Sequence, residues 1–278
     1  MLKDKTIGFI GAGNMGSAII RGLLQSGQVK KSHIIASDID EGKLTALAAA
    51  HGIQITRSNV ELMEKASVVI IGVKPYHVDT LLDEVAACSR ADQLFVSIIA
   101  GTHADKFSAK LHPQAGVVRV MPNTPLAVLA GAAAIYAGKN VSQEKLADAV
   151  EIFEGTGKAV IIQNEALLDA VTGLSGSGPA YVFLAIEALG DAGVQLGIAR
   201  KEAMLLAAQT VYGAAKMMLE TGKSPNELKD MVTTPGGTTA AGLRMLEKGN
   251  FRAVIMDAVE AATVRSRELA LKSVSSPQ

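Results

Sequence analysis

A glycine-rich turn near the N-terminus constrains the fold of this chain more than any other feature. The apolar run Thr6–Ile10 has the composition of a strand, and it leads directly into Gly11-Ala12-Gly13-Asn14-Met15-Gly16, where a helical pattern begins. Gly11 permits a tight turn, Gly13 lets the backbone approach a diphosphate, and Gly16 lets the helix pack closely against the strand. A diphosphate bound there would meet free N–H groups at the positive end of the helix. The spacing therefore predicts a dinucleotide-binding turn.

Short β-branched runs alternate with amphipathic helical segments through the first part of the chain. The predicted strands are Thr6–Ile10, His33–Ser37, Val68–Val73, Leu94–Ile99, Val117–Met121, Ala132–Ala137 and Ala159–Ile162. This alternation is typical of an α/β fold with a parallel sheet and helices on both faces. Val68–Val73 is apolar on both alternating sets of residues, which predicts a central strand covered on both sides. We therefore predict a Rossmann-type, doubly wound sheet.

The composition changes near Gln163-Asn164. From Glu165 onward the chain is rich in Ala, Leu, Met and Gly, and it has helical rather than strand patterns. We predict a dinucleotide-binding domain over residues 1–163 and an all-α domain over 164–278. The segment Pro179–Leu189 is apolar nearly all round, so a helix there must be buried on every side. A small helical domain has little interior, which favours packing against a second subunit over the alternative, the central helix of a monomeric bundle.

Charge and cysteine content exclude several classes of function. The chain has 27 Lys and Arg against 27 Asp and Glu, which gives no basic surface for nucleic acid or an anionic membrane. Cys88 is the only cysteine, so no intrachain disulfide can form, and no apolar run approaches the ~20 residues of a membrane span. We expect a cytoplasmic protein without a metal site. No histidine follows His112, so the C-terminal half must work without imidazole or thiol.

Three further strand ends carry residues suited to a dinucleotide. Asp38 ends the second strand, where an acid would bond the adenosine ribose hydroxyls and favour NAD over NADP. Ser37 and Lys43 oppose that preference, and Asp38 has the alternative of capping the next turn, so the sequence leaves the cofactor open. Gly72-Val73-Lys74-Pro75 closes the third long strand, and Ile98-Ile99-Ala100-Gly101 ends the next with small residues that leave room for a nicotinamide.

Several longer motifs resemble those of one known family, the pyrroline-5-carboxylate reductases, over almost the whole chain. The resemblance begins with the N-terminal glycine turn and extends through four further stretches. These are Val73-Lys74-Pro75, Arg119–Pro125, Asp169–Tyr181 and, most specifically, Leu228–Leu243, which includes Thr233-Thr234-Pro235-Gly236-Gly237-Thr238-Thr239.

The resemblance implies an activity, an assembly and a set of site residues. Such enzymes reduce the cyclic imine 1-pyrroline-5-carboxylate to L-proline with NADPH or NADH, as the last step of proline synthesis. Their Rossmann domain precedes a helical dimerisation domain, which implies a homodimer and, as a larger ring, a decamer of five dimers. By resemblance, cofactor contacts fall on Ile10, Gly11, Ala12, Gly13, Asn14, Met15, Ser37, Asn59, Gly72, Val73, Lys74, Pro75, Ile98, Ile99 and Ala100, and the position of Asp38 at the end of the second strand adds that residue. The resemblance also assigns dimerisation and substrate binding to residues 164–278, and it places contacts around the substrate and the nicotinamide on Glu165, Thr172, Asp230, Thr234, Thr238 and Thr239.

Reduction of an imine makes modest chemical demands, because a protonated imine is already a good electrophile and the product amine is a strong base. The residues before the predicted helix at Thr238–Lys248 suit the remaining task of holding the substrate. The N–H groups of Gly237, Thr238 and Thr239 would bind its carboxylate, with Thr238 or Thr239 capping the helix. We expect Thr239, or otherwise Thr172, to hydrogen-bond the imine nitrogen as the catalytic hydroxyl. The alternative is an ordinary turn that caps a surface helix.

Two other functions compete with this hypothesis. A 3-hydroxyacid dehydrogenase would need a lysine acid–base on a helix of the second domain, for which Lys201, Lys216, Lys223 and Lys229 are present. A catalytically silent NAD(P)-sensing dimer would keep the N-terminal glycines but would not need the Thr233–Thr239 segment.

Overall fold

The computed structural model describes residues 2–275. Its first part contains one eight-stranded sheet with the order β3-β2-β1-β4-β5-β6-β7-β8. The strands are β1 Ile7–Ile10, β2 Ile34–Ser37, β3 Gln54–Thr56, β4 Val68–Ile71, β5 Leu94–Ser97, β6 Gly116–Pro122, β7 Gly131–Ala137 and β8 Gly157–Ile162. Because β1 lies between β2 and β4, the chain reverses its direction of winding there, and ligands bind at such a point in doubly wound sheets.

Helices cover both faces of the sheet and fill the rest of the chain. Those between the strands are α1 Asn14–Gln25, α2 Glu41–His51, α3 Asn59–Lys65, α4 Val78–Val85, α5 Ala104–Ser108 and α6 Gln143–Glu154. After the sheet come α7 Leu167–Val171, a π-helical turn Thr172–Gly176, α8 Gly178–Gln195, α9 Arg200–Thr221, α10 Pro225–Met231, α11 Thr238–Lys248 and α12 Phe251–Ser275. The α/β class with a following helical region is confirmed.

Alternating residues of the central strands supply two separate cores. On β4, Val68 and Ile70 pack into the core on one face of the sheet, while Val69 and Ile71 pack into the core on the other. All four side chains are almost fully buried. The prediction of a central strand covered on both sides is therefore confirmed.

The sheet differs from the prediction in two places. The strand β3 was not predicted, because Gln54–Thr56 is short, polar at both ends and exposed at two of its three positions. The strands β6 and β7 pair antiparallel, whereas the alternation of strands and helices predicts a parallel sheet. The segment 123–130 between them is shorter than the dozen or so residues that a parallel crossover requires.

The chain forms two compact units. One contains the sheet and the residues up to Ser177 together with the described residues from Ala261, and the other is Gly178–Glu260. Within the first unit, the Ser266 hydroxyl donates to Asp169 Oδ1 at 2.7 Å. The domain boundary predicted after residue 163 depends on a change of amino-acid composition. The two compact units are divided at other residues, so this boundary stays a prediction.

The helical unit Gly178–Glu260 holds α8 against α9 at small residues. A side chain at Gly190 would collide with the Met204 sulfur, and one at Gly193 would lie 3.1 Å from the Ala203 Cβ. The apolar side chains of α8 are not covered within the chain, since Phe183 is 64% exposed and Leu184 is 67% exposed. The alternative of a central helix in a monomeric bundle is therefore wrong.

No helix within residues 2–275 is long and apolar enough to cross a membrane.

Candidate functional site

The glycine turn lies at the point where the sheet reverses its winding. Gly11 has a φ of +98°, and a Cβ there would lie 2.8 Å from the backbone carbonyl of Gly72, so only glycine fits between the ends of β1 and β4. A Cβ at Gly16 would lie 2.6 Å from the Gly11 carbonyl oxygen, whereas a Cβ at Gly13 would meet no atom within 4 Å. Gly11 and Gly16 thus hold the turn together, and Gly13 leaves open space in front of α1.

A cavity of about 370 Å³ opens in front of this turn. It brings together predicted cofactor residues from four separate segments, namely Ile10, Gly11, Gly13, Ser37, Asp38, Asn59, Gly72, Val73 and Lys74. The other predicted cofactor residues do not line it, and these are Ala12, Asn14, Met15, Pro75, Ile98, Ile99 and Ala100. The open face of Gly13 and the gathering of these segments at one sheet edge fit an extended dinucleotide.

Each carboxylate oxygen of Asp38 accepts a hydrogen bond from a backbone N–H. Its Oδ2 accepts from the Ala12 N–H at 2.7 Å, and its Oδ1 accepts from the Asp40 N–H at 2.9 Å. Asp38 thereby ties the glycine turn to the end of β2. The bond to Asp40, two residues further on, also caps the turn after β2, as the alternative for Asp38 predicts. Helix α2 itself is capped by Asp40, whose carboxylate accepts from the Lys43 N–H, a bond that holds the pKa of Asp40 below its usual range.

Ser37, Asn59 and Glu84 form a hydrogen-bonded chain along the cavity. The Ser37 hydroxyl donates to Asn59 Oδ1 at 2.7 Å, and Asn59 Nδ2 donates to Glu84 Oε2 at 2.8 Å. Since Ser37 is buried, its bond fixes the direction of the Asn59 amide. Asn59 is also the first residue of α3, and the Ser58 hydroxyl caps that helix.

Two cations lie at the β2–β3 side of the same cavity. The sequence indicates Lys43, but it does not indicate Arg57, because Arg57 directly follows β3, a strand that the sequence pattern does not predict. Lys43 Nζ lies 3.3 Å from Asp40, and Arg57 Nη1 lies 3.4 Å from Glu41. Both side chains are more than half exposed, so they can reorient toward a ligand.

Glu165 and Thr172, predicted near the substrate, lie in the unit that contains the sheet. The Glu165 carboxylate accepts from Arg119 Nη1 and from the Ala104 N–H, both at 2.7 Å, and it lies 3.5 Å from His103 Nδ1. The Thr172 hydroxyl donates to the Leu168 carbonyl at 2.7 Å. Thr172 opens a π-helical turn, a distortion that is frequent at functional sites.

The predicted carboxylate site lies at the start of α11 in the helical unit. Gly237 is the N-cap and no side chain caps the helix, so the prediction of a Thr238 or Thr239 cap is wrong. The N–H of Gly237 is also not free, because it donates to the Thr234 carbonyl at 3.0 Å. The first N–H groups of a helix lack intrahelical partners, so Thr238, Thr239 and Ala240 present theirs at this end. Thr234 and Asp230 precede this helix in the sequence, and both side chains are exposed.

Among the lysines of the competing dehydrogenase hypothesis, Lys216 and Lys229 have polar partners at the surface. Lys216 donates to Glu220 at 2.7 Å, and this bond raises the pKa of Lys216, opposite to the shift that a lysine base needs. Lys229 Nζ lies 3.4 Å from the Asn226 side-chain oxygen. Within the described part of the chain, no group of three His, Cys, Asp or Glu is placed to hold a metal ion.

A dinucleotide-binding turn at the switch point of an α/β sheet, followed by a helical unit, defines the class of nicotinamide-dependent oxidoreductases. Two family models match the chain: pyrroline-5-carboxylate reductase dimerisation over residues 165–269, and NADP oxidoreductase coenzyme F420-dependent over residues 6–101. A pyrroline-5-carboxylate reductase of Methanosarcina acetivorans is 45% identical over 98% of this chain and 100% of the relative.

Solved structures agree with these matches. A pyrroline-5-carboxylate reductase from Coxiella burnetii superposes with a TM-score of 0.90 at 36% identity, covering 95% of this chain and 98% of that one. A pyrroline carboxylate reductase of Plasmodium falciparum with NADP bound gives a TM-score of 0.85 at 32% identity, covering 96% and 99%. This chain belongs to the pyrroline-5-carboxylate reductase family. It is accordingly an NAD(P)H-dependent oxidoreductase, and the reaction of its family is the reduction of 1-pyrroline-5-carboxylate to L-proline.

Proposed function

We propose that this chain reduces 1-pyrroline-5-carboxylate with the substrate carboxylate held at the start of α11. The observation that carries the proposal is the uncapped N-terminus of this helix, where Thr238, Thr239 and Ala240 offer N–H groups. The helix dipole favours an anion at the same place. Glu165, Asp230, Thr234 and Gly237 remain further predicted substrate contacts.

The hydroxyl of Thr239 is proposed to hydrogen-bond the imine nitrogen. Thr239 is partly buried and follows the N-cap by two residues, so a carboxylate on the N–H groups brings a small ring close to its side chain. When bound, NADPH or NADH supplies the hydride. The protein's own contribution is then to orient the protonated imine, and no strong acid is required. The second proposed catalytic hydroxyl is that of Thr172. It donates its proton to the Leu168 carbonyl, so its oxygen can still accept a hydrogen bond from the protonated imine.

Substitution of Thr239 tests this assignment. Thr239→Ala should lower kcat/KM for 1-pyrroline-5-carboxylate by about tenfold, the ~1.4 kcal/mol of one hydrogen bond. Thr239→Ser should retain most of the activity, because the hydroxyl is kept. Thr221→Ala is a matched control, since its hydroxyl makes only local bonds, donating to the Met217 carbonyl and accepting from the Lys223 N–H. Unchanged kinetics in Thr239→Ala would remove Thr239 from the mechanism.

For the cofactor, we infer that the chain accepts both reductants and that Arg57 and Lys43 contact the 2′-phosphate of NADPH. The hydrogen bonds of Asp38 support this inference. Both of its carboxylate oxygens accept a backbone N–H, and these bonds reduce the repulsion between its negative charge and a nearby phosphate. The remaining predicted contacts of the glycine turn, the Gly72–Pro75 segment and the Ile98–Ala100 segment complete the proposed cofactor site.

We also propose a homodimer formed through the helical unit, assembled further as a decamer of five dimers. The uncovered side chains of α8, among them Val182, Phe183, Leu184 and Leu189, support a dimer, because so many apolar groups on one helix are typical of an interface. The match to a dimerisation family model supports the same assembly. A cytoplasmic location is proposed as well, supported by the single cysteine.

A further inference from the structure

A second cavity lies in the unit that contains the sheet. It has a volume of about 430 Å³ and shares no lining residue with the cofactor cavity. Its walls come from the second half of α1, the segment that follows it, and the last turn of α2. Three basic side chains line it together with one amide and three apolar residues, namely Arg21, Lys31, His51, Gln25, Leu24, Val29 and Ala50.

Arg21 has a buried donor without a partner. Among the side chains that the structure describes, its Nε is the one buried nitrogen or oxygen that makes no hydrogen bond. Buried donors are almost always paired in folded proteins, because an unpaired one loses its hydration without compensation. An acceptor from outside the chain would satisfy this group.

The charge around the cavity is unbalanced. No carboxylate is among the described residues that line it, and within the described chain neither Arg21 nor Lys31 forms an ion pair. The Lys31 side chain lies beside Gly52, the residue that ends α2, because a Cβ at Gly52 would be 3.4 Å from Lys31 Nζ.

Cations near the ends of α1 and α2 also interact favourably with helix dipoles. That effect is limited to the last turn, and Arg21 lies before the last turn of α1. The helix dipole therefore accounts for His51 and Lys31 but leaves the buried Nε of Arg21 unexplained.

We propose that this cavity binds the phosphate group of a small organic molecule. A guanidinium and an ammonium are the donors that phosphate oxygens prefer, since they supply several charge-assisted hydrogen bonds. Leu24 and Val29 provide an apolar wall for the organic part, and the cavity has room for more than the phosphate.

Calorimetric titration with inorganic phosphate tests the proposal. The protein is first saturated with NADP⁺, so that the diphosphate-binding turn cannot compete, and ionic strength is held constant with chloride. We expect saturable binding that Arg21→Gln and Lys31→Gln each weaken at least about tenfold, as expected for the loss of one charge-assisted contact. Lys30→Gln is the matched control, because Lys30 is an exposed neighbour that does not line the cavity, and it should bind like the wild type.

Melting curves establish that each variant is folded. If Arg21→Gln does not fold, Lys31→Gln still tests the proposal, because Lys31 is exposed and its replacement does not disturb the core. Absence of saturable binding to the wild type, or binding unaffected by Lys31→Gln, would overturn the proposal. Titration with phenyl phosphate identifies the source of the phosphate. Tighter binding than inorganic phosphate supports an organic phosphate against Leu24 and Val29, and equal binding overturns the organic part of the proposal.

Discussion

Replacement of Gly13 by alanine separates cofactor binding from folding. Gly13 has φ −68° and ψ −175°, an extended conformation that alanine adopts freely, and its new Cβ would meet no protein atom within 4 Å. The folding cost is therefore limited to the poorer N-cap, a few tenths to about 1 kcal/mol. For a chain of this size that lowers Tm by less than about 4 °C.

The same methyl group should strongly weaken cofactor binding. It projects into the open space in front of α1, where the backbone is predicted to approach the diphosphate. Loss of one hydrogen bond to a charged group costs about 1.5–3 kcal/mol, which corresponds to a roughly 10- to 100-fold higher Kd for NADPH. Fluorescence titration with NADPH measures this Kd, and a thermal melt measures stability on the same sample.

Two other glycines provide controls for this experiment. Gly11→Ala forces a Cβ to 2.8 Å from the Gly72 backbone at a φ of +98°, so it should lower Tm as well as affinity. Gly27→Ala has a φ of +70° and no neighbour within 4 Å, so it should cost about 1–2 kcal/mol of stability and leave the Kd unchanged. If folded Gly13→Ala binds NADPH within about twofold of the wild type, then the backbone at residue 13 does not meet the diphosphate.

Three further predictions concern the cofactor, the assembly and the dependence of stability on pH. Arg57→Ala should raise KM for NADPH about fivefold, the ~1 kcal/mol of an exposed charge contact, and leave KM for NADH unchanged; equal effects on both would remove Arg57 from the 2′-phosphate. Phe183→Glu should convert the oligomer to a monomer in light scattering, since it puts a charge on the uncovered face of α8, and an unchanged mass would locate the interface elsewhere. Burial alone lowers the pKa of Lys5, but its hydrogen bonds to Asp148 and Glu144 outweigh burial and hold the pKa above 10.5. The stabilisation from Lys5 is therefore fully present below pH 10.5 and is lost as pH rises through the folded-state pKa. Lys5→Met leaves the buried Asp148 carboxylate unpaired and should cost about 3 kcal/mol at neutral pH, a difference from wild type that narrows at alkaline pH. A difference that stays constant through that range would refute the role of Lys5.

Most of the fold could be predicted from local sequence patterns. The glycine spacing at residues 11–16 and the apolar residues of β4 can both be recognised in the sequence, because each is a pattern within a few consecutive residues, although the contact that requires Gly11 is with Gly72. Strand β3 gave no such signal, since its side chains are mainly exposed and its pairing with β2 supplies its stability. Missing β3 also concealed Arg57 at its end.

The site residues depend more on contacts between distant segments. The bonds of Asp38 to Ala12, and of Glu165 to Arg119, join residues far apart in the sequence, and no spacing rule predicts them. The prediction for the cap of α11 is wrong because threonine and glycine are both accepted N-cap residues, and here Gly237 takes that position while its N–H closes a turn with Thr234.

The most direct test of the account is steady-state reduction of 1-pyrroline-5-carboxylate by the purified chain, followed by loss of reduced nicotinamide absorbance with NADPH and with NADH. The account predicts saturable turnover with at least one reductant, formation of L-proline in equal amount, and no reaction with 3-hydroxy acids and the oxidised cofactors. Turnover of a 3-hydroxy acid, or folded protein that binds NADPH without consuming it in the presence of 1-pyrroline-5-carboxylate, would contradict it.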